Sequence, residues 1–184
     1  AGASFSLLGF KAASKGLAGL EFASGIPASV GGAVFMNAGA NGRETEGPLS
    51  KVLYLDSEGN RREFSKEELR FGYRKSPFQT MRGAILSATF QLEDGPHARA
   101  KQIEIVEQRM KTQPLKEKSA GCVFRNPGTS LSAGALIDRS GLKGISVGGA
   151  EVSNIHANFL INRGGATAKD VLSLIDLIQT QVYE

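Results

Sequence analysis

The sequence has few residues of the kinds that build disulfide-linked, metal-binding or membrane-spanning proteins. Its 184 residues include one cysteine, two histidines and no tryptophan. A single cysteine cannot form a disulfide or a cysteine-based metal site within one chain. No apolar run approaches the roughly 20 residues that span a bilayer, and the chain does not open with a secretion signal. These absences predict a cytoplasmic protein with no membrane segment and no metal.

Charge is present in moderate amount and is spread along the chain. Charged residues make up 22% of the sequence, and the formal net charge is +4 at pH 7. The basic residues are dispersed rather than grouped in a stripe, which favours an anionic small molecule over nucleic acid as a partner. With 41% hydrophobic residues, the chain can bury a core as one domain or as two small ones.

Strand and helix patterns are mixed along the sequence without strict alternation. A helix is predicted within residues 7–22, with Gly16 and Gly19 as its stop, and further helices over about 97–110, within GALIDRS, and over about 167–183. Strands are predicted over 51–56, 61–65, 84–93, within GCVFRNP, and near ISVGGAEVS and HANFLIN. Ser65 and Glu68 have the spacing of a capping box. Together these patterns predict an α+β fold.

Two helices have a predicted apolar face. In the helix over about 97–110 this face consists of Ile103, Val106 and Met110, and in the last helix it consists of Val171, Leu174, Ile175 and Ile178. Gly95 and Pro96 mark a boundary just before the first of these two helices. We therefore predict one domain over 1–94 and a second over 95–184.

A glycine-rich segment, SGIPASVGGAVFMNAGANG, covers residues 24–42 and holds five glycines and four alanines. We interpret it as a loop. It lacks the lysine of a Walker loop and the glycine spacing of a Rossmann turn. Two explanations stay open: tight chain packing, or a nest of backbone N–H groups that binds a pyrophosphate. Asn37 and Asn41 within it could cap turns.

Two further segments carry candidate site residues. In FGYRKSPF, Arg74 could hold a carboxylate or phosphate through its forked donors, with Tyr73 beside it, but the residues alone favour a surface arginine next to a core tyrosine. In SAGCVFRNP, small residues surround Cys122, which could be a reactive thiol or a small buried side chain. Arg125 and Asn126 follow and could meet phosphate oxygens. His156 lies in an apolar run and is interpreted as structural.

Five segments in order and at natural spacing resemble one family. They are LEFASGIPASVGGAVFMNAGANG, YRKS, QPLKEKSAGCVFRNP, GALIDRSGLKG and VGGAEVSNIHANFLIN. The chain resembles the shorter type of UDP-N-acetylenolpyruvoylglucosamine reductases, the MurB family. The resemblance implies a flavin-binding domain of the FAD-linked oxidase (PCMH-like) type, completed by residues 1–94, and a smaller α+β substrate-binding domain over 95–184.

The resemblance also implies a reaction and its residues. NADPH would reduce FAD, and the hydride would pass to the enolpyruvyl group of a UDP-sugar, giving UDP-N-acetylmuramate for peptidoglycan. Arg74 would bind the enolpyruvyl carboxylate, and Cys122 stands where the family usually has a serine proton donor. Residues implied to contact FAD are Gly25, Ile26, Pro27, Ser29, Gly31, Gly32 and Ala33. Residues implied to contact substrate are Tyr73, Arg74, Ser76, Arg125 and Asn126.

The resemblance further implies that segments are missing at both ends. The family has an earlier flavin-binding loop and a later glutamate, for which Glu184 should not be mistaken. We therefore expect a fragment with impaired activity. A non-catalytic flavin or UDP-sugar binding module is an alternative, and an oxidase of a small hydroxyl substrate is a third possibility that leaves YRKS and SAGCVFRNP without a role.

Overall fold

The computed structural model describes residues 1–183, which divide into two compact units at Gln108 and Arg109. The helices are α1 (Phe5–Ser14), α2 (Val30–Phe35), α3 (Ala98–Thr112), α4 (Ala133–Arg139) and α5 (Ala168–Tyr183). The strands are β1 (Leu17–Ala18), β2 (Gly39–Ala40), β3 (Arg43–Glu44), β4 (Leu49–Asp56), β5 (Arg61–Ser65), β6 (Gly83–Phe90), β7 (Glu93–Asp94), β8 (Ser119–Cys122), β9 (Ser146–Val147), β10 (Ala150–Val152) and β11 (Phe159–Asn162). This mixture confirms the α+β class.

The first unit is built on an antiparallel sheet in the order β5-β4-β6. The hairpin of β4 and β5 confirms the sequence prediction, and the Asp56 carboxylate closes its turn by accepting from the backbone N–H groups of Glu58 and Asn60. Ser65 and Glu68 form the predicted capping box at the 3₁₀ helix Lys66–Glu68. Alternate residues of β4, including Val52 and Tyr54, are buried in the core beneath the sheet.

One prediction for the first unit is confirmed and one is wrong. The first helix ends at Ser14, next to the predicted stop at Gly16, which takes a left-handed φ of 72° before the chain enters β1, which pairs with β7. The glycine-rich segment is not all loop, since it contains α2. Ser29 caps this helix by accepting a hydrogen bond from the Gly32 N–H at 3.1 Å.

The buried face of α3 also differs from the prediction. Ile103 and Met110 are exposed, whereas Ala98, Gln102 and Ile105 are buried. These three residues have helical spacing too, but the pattern is hard to see because one of them is a glutamine and another a small alanine. α3 crosses the boundary between the two units.

The second unit pairs α5 with a four-stranded antiparallel sheet in the order β8-β11-β10-β9. Leu174 and Ile178 are fully buried, and Val171 and Ile175 pack against the same core, as the predicted stripe of α5 required. The strand predicted within GCVFRNP is wrong beyond Cys122, where β8 ends. Within residues 1–183, no helix is long and apolar enough to cross a membrane.

Candidate functional site

The segment Tyr73–Ser76 is a tight hairpin attached to the C-terminal end of α2. Gly72 and Lys75 exchange two backbone hydrogen bonds of 2.9 and 3.1 Å. The Ser76 hydroxyl donates to the Phe35 carbonyl at 2.7 Å. The last carbonyls of a helix lack partners within the helix, so a side-chain donor stabilises this end. Ser76, predicted to bind substrate, is buried and uses its proton to hold the hairpin.

Arg74 is held in a fixed position by backbone carbonyls. Its Nη1 donates to the Asn37 carbonyl at 3.2 Å, and its Nη2 donates to the Gly39 carbonyl at 3.0 Å. The Glu44 carboxylate lies 3.6 Å from Nη1. The guanidinium also lies over the Tyr73 ring, 4.8 Å from its centroid. A guanidinium has five N–H donors, and 28% of this side chain is exposed, so donors remain for an anion.

Asn37 supports this arrangement, and sequence reasoning missed its role. It is fully buried with a left-handed φ of 42°. Its Nδ2 donates to Glu44 Oε2 at 2.9 Å and to the Gly72 carbonyl at 3.0 Å, while its Oδ1 accepts from the Glu46 N–H at 3.0 Å. Asparagine tolerates left-handed backbone. The sequence indicated only a turn-capping role for Asn37, because the helix α2 before it was not predicted. Asn37 therefore fixes both Glu44 and the arginine hairpin.

The backbone N–H groups of the glycine-rich segment are already used within the chain. Val30 N–H donates to the Ala3 carbonyl at 2.8 Å, and Gly31 N–H donates to the Ala1 carbonyl at 2.9 Å. Gly32 N–H is bound by Ser29. The hypothesis of an N–H nest for a pyrophosphate is therefore wrong at the start of α2, because its donors have acceptors already.

What this segment does offer is an exposed surface of small residues. Gly25, Pro27 and Ser29 are exposed, with Ile26 half-buried between them, whereas Ala33 is buried. Gly25 has a left-handed φ of 87° and donates its N–H to the Ser6 hydroxyl at 2.8 Å. The segment thus fits a flat cofactor as a contact surface rather than as a set of donors. Its assignment to FAD stays a prediction.

Cys122 lies in the second unit at the end of β8, opposite Phe159 of β11, and is exposed. Gly121 before it has a left-handed φ of 90° and open space around its Cα. Burial of the Arg109 guanidinium lowers the pKa of Arg109, and the charge of ionised Cys122 opposes that shift. Arg109 and Cys122 therefore interact through their charges.

The two predicted nucleotide-binding residues follow Cys122. Arg125 is exposed. Asn126 accepts the Ala133 N–H at 3.0 Å through Oδ1, at the first turn of α4. Of the two predicted catalytic residues, Arg74 belongs to the first unit and Cys122 to the second. Glu184 lies outside the described residues.

Asn158 and His156 lie just before β11. The sequence predicts a structural role for His156 and indicates none for Asn158. Asn158 is buried and forms two hydrogen bonds of 2.8 Å to Phe124, accepting from its N–H and donating to its carbonyl. His156 Nδ1 accepts from the Asn158 N–H at 3.2 Å, and its ring packs on Phe159. Burial lowers the pKa of His156. Among residues 1–183, no cluster of three or more His, Cys, Asp or Glu could hold a metal ion.

Known proteins resemble this chain in sequence and in fold. The family model described as UDP-N-acetylenolpyruvoylglucosamine reductase, C-terminal domain, matches residues 113–184. The reductase of that name from Protochlamydia amoebophila is 60% identical over 182 residues, covering 99% of this chain and 60% of that protein. The one from Chlamydia muridarum is 52% identical over 178 residues, covering 97% of this chain and 60% of that protein.

A solved structure agrees with these relatives. The crystal structure of UDP-N-acetylenolpyruvylglucosamine reductase from Thermus caldophilus matches with a TM-score of 0.86 at 44% identity. The match covers 96% of this chain and 65% of that one. The chain therefore spans about three fifths of the length of the relatives it matches. By sequence and by fold, it belongs to the UDP-N-acetylenolpyruvoylglucosamine reductase family.

Proposed function

We propose that this chain carries the substrate-binding and part of the flavin-binding machinery of a cytoplasmic reductase. That enzyme would convert UDP-N-acetylglucosamine enolpyruvate to UDP-N-acetylmuramate with NADPH, for peptidoglycan synthesis. Residues 1–94 would contribute to the flavin domain and 95–184 to the substrate domain. Family membership supports this proposal, and the observation that carries it is the fixed, partly exposed guanidinium of Arg74.

Arg74 would bind the enolpyruvyl carboxylate. Two carbonyls and Glu44 already orient its guanidinium, so little reorganisation is needed when an anion arrives. The planar fork matches a carboxylate with two parallel hydrogen bonds. The same positive charge would stabilise the negative charge that develops on the substrate during reduction. Tyr73 would cover one face of the guanidinium.

Cys122 would donate the proton that completes the reduction. Its thiol is exposed, and a thiol is more acidic than the serine hydroxyl usual at this position of the family. Arg125 and Asn126, three and four residues along the chain, would contact the nucleotide part of the substrate. Arg125 has the exposure this requires, whereas the Oδ1 of Asn126 also holds α4.

FAD, when bound, would carry the hydride from NADPH to the substrate. The residues that would contact it are those of the glycine-rich segment, through the exposed surface of Gly25, Pro27 and Ser29. Because the N–H groups of Val30 and Gly31 are used within the chain, we expect van der Waals contact there rather than hydrogen bonds to the pyrophosphate.

The first test is a titration of the purified chain with FAD, followed by visible flavin absorbance. We expect binding, and then slow bleaching of the flavin on addition of NADPH, because the chain spans about three fifths of the length of its relatives and impaired activity is expected. Reoxidation by the enolpyruvyl UDP-sugar would complete the proposed cycle. Flavin binding without any NADPH oxidation would instead identify a binding module without catalysis, and failure to bind either flavin or UDP-sugar would contradict the proposal.

The second test is Arg74→Lys. We expect the affinity for the enolpyruvyl UDP-sugar to fall about 10-fold or more, because an ammonium cannot form the bidentate contact. Arg62→Lys is a matched control, since Arg62 also pairs with a carboxylate, that of Asp56 at 2.8 Å, in a surface turn. Unchanged affinity in Arg74→Lys would assign Arg74 to the structure of the hairpin alone.

A further inference from the structure

Asn158 holds the chain directly after Cys122 through three hydrogen bonds. Its side chain binds both backbone groups of Phe124, each at 2.8 Å. Its own carbonyl accepts the Val123 N–H at 2.9 Å. The β8 ladder ends at Cys122, so these bonds replace the pairing that a longer strand would have had.

The same stretch is anchored again a few residues later. Asn126 Oδ1 accepts the N–H of Ala133 and so joins the stretch to α4. His156 holds Asn158 from the other side by accepting its N–H, and the His156 ring lies close to Gly134 of α4, where an added Cβ would be 3.0 Å from Cε1. Residues 122–126 are therefore fixed at both ends by β11, its approach and α4.

We propose that Asn158 is a positioning residue that sets where the Cys122 thiol lies. The three bonds fix the peptide units that follow Cys122, and the strand pair with Phe159 fixes Cys122 itself. The importance of this for catalysis rests on the proposed function, in which Cys122 is the proton donor. The position of the thiol itself does not depend on the proposed function, and its reactivity can be measured without flavin or substrate.

The position of the thiol matters because of Arg109. The charges of Arg109 and ionised Cys122 interact, and such an interaction weakens with distance. If residues 123 and 124 are released, Cys122 gains freedom to move away from the guanidinium. The thiolate is the nucleophilic form of cysteine, so its reaction rate with an alkylating agent reports this loss.

The experiment is alkylation of Cys122 by iodoacetamide as a function of pH, followed by mass. Cys122 is the only cysteine in the sequence, so each adduct is assigned directly. In Asn158→Ala we expect the pH profile to move upward and the rate at neutral pH to fall roughly threefold or more. Asn158→Ser adds no charge and is the second variant; its profile should move in the same direction by an equal or smaller amount.

Asn162→Ala is the matched control. Asn162 is the last residue of β11, the strand that directly follows Asn158, and its side chain likewise forms two hydrogen bonds to backbone groups, accepting from Gly164 at 2.9 Å and Ala166 at 3.2 Å rather than from Val123 or Phe124. We expect this variant to lose stability and keep the parent alkylation profile. An identical shift in Asn158→Ala and Asn162→Ala would overturn the proposal, because both would then report general loosening.

Unchanged alkylation in a folded Asn158→Ala would also overturn it. If Asn158→Ala does not fold, Asn158→Ser is used instead, with its alkylation profile and the hydrogen exchange of the Phe124 amide as the measurements. Faster exchange with an unshifted profile would show that residue 158 holds Phe124 but does not position the thiol, and this too would overturn the proposal. The chain's failure to bind FAD would count against the proposed function and leave this result untouched.

Discussion

At the scale of single residues, Asn37 and Asn158 have similar structural roles, each in its own unit. Asn37 donates to the Gly72 carbonyl of the arginine hairpin and accepts from the Glu46 N–H, and Asn158 binds the N–H and the carbonyl of Phe124. A buried amide suits this task because it satisfies one N–H and one C=O at once. Its removal leaves both without a partner, which typically costs about 1–3 kcal/mol per group.

His156 leads to a prediction about pH. Burial is the main cause that lowers the pKa of His156 below its ordinary value of 6.5, Lys143 adds to the shift, and Asp138 opposes it. The unfolded chain therefore takes up this proton first as pH falls. We expect the free energy of unfolding to decrease below about pH 6.5, where protonation also removes the acceptor for the Asn158 N–H.

The measurement is urea denaturation of the parent and of His156→Gln between about pH 7.5 and pH 5. Glutamine can accept the same N–H without titrating, so the variant should lose less stability on acidification. His97→Gln, which changes the other histidine of the sequence, serves as the control. If the parent and His156→Gln have parallel curves, His156 makes no contribution to the acid sensitivity.

At the scale of elements, α2 shows why a glycine is needed at Gly31 of the glycine-rich segment. A Cβ on Gly31 would lie 2.9 Å from the Ala1 Cβ, closer than side chains pack, while Gly31 also donates its N–H to the Ala1 carbonyl. Tight chain packing, one of the two explanations left open by the sequence, is thus correct at Gly31. A side chain there must displace the first residues of the chain from α2.

Gly31→Val should therefore lower the free energy of unfolding by about 1–3 kcal/mol, the usual effect of overpacking. Gly2→Val is the control, because a Cβ on Gly2 meets nothing within 4 Å. Urea denaturation of the two variants decides the matter. Equal stability of the two variants would show that close packing at Ala1 does not limit the size of residue 31. Flavin titration of the same variants would test the predicted contact surface.

The elements that sequence predicted correctly are those with local signals. The β4–β5 hairpin, the capping box at Ser65 and the buried stripe of α5 each follow from residues close together in the chain. By contrast, α2 has two glycines in six residues, so its intrinsic helix propensity is poor. It forms because Ser29 caps it and because Ala1, Ala3 and Ser76 bind its ends. Those partners are distant in sequence.

At the scale of the whole molecule, the hydrophobic clusters respect the division into two units. One cluster, with Leu174 and Ile178, lies in the second unit, and two others, around Phe22 and Tyr54, lie in the first. Because the cores are separate, we expect a cavity in one unit to lower the stability of that unit more than that of the other. The free energy of local opening would then differ between the units.

Leu174→Ala should lower the free energy of unfolding of the second unit by about 2–5 kcal/mol. Leu172→Ala on the same helix is the control and should change it by less than about 0.5 kcal/mol, because Leu172 is 61% exposed whereas Leu174 is fully buried. Hydrogen exchange should rise in β10 and β11 and stay unchanged in β4. A uniform rise through both units would contradict the prediction of separate cores.

The resemblance in sequence identified the candidate site segments but not the side chains that support them. Arg74 and Cys122 were predicted from motifs, whereas the contacts of Asn37, Arg109 and Asn158 with the site segments were identified only from the structure. Hydrogen bonds that join residues 34 or more positions apart leave no periodic pattern in sequence. The supporting side chains of a site are for that reason harder to predict than the groups they support.

The backbone at Arg74 has a consequence for how the protein could change. Its φ of 56° lies in the left-handed region, which disfavours every residue with a Cβ by roughly 1 kcal/mol relative to glycine. Glycine there would relieve this backbone cost, but it would also remove the two hydrogen bonds from the guanidinium to the Asn37 and Gly39 carbonyls, each worth roughly 1 kcal/mol or more. The left-handed backbone is therefore tolerated because of the side chain it carries, so Arg74→Gly should lower thermostability rather than raise it, and the fold and the proposed anion site depend on the same guanidinium.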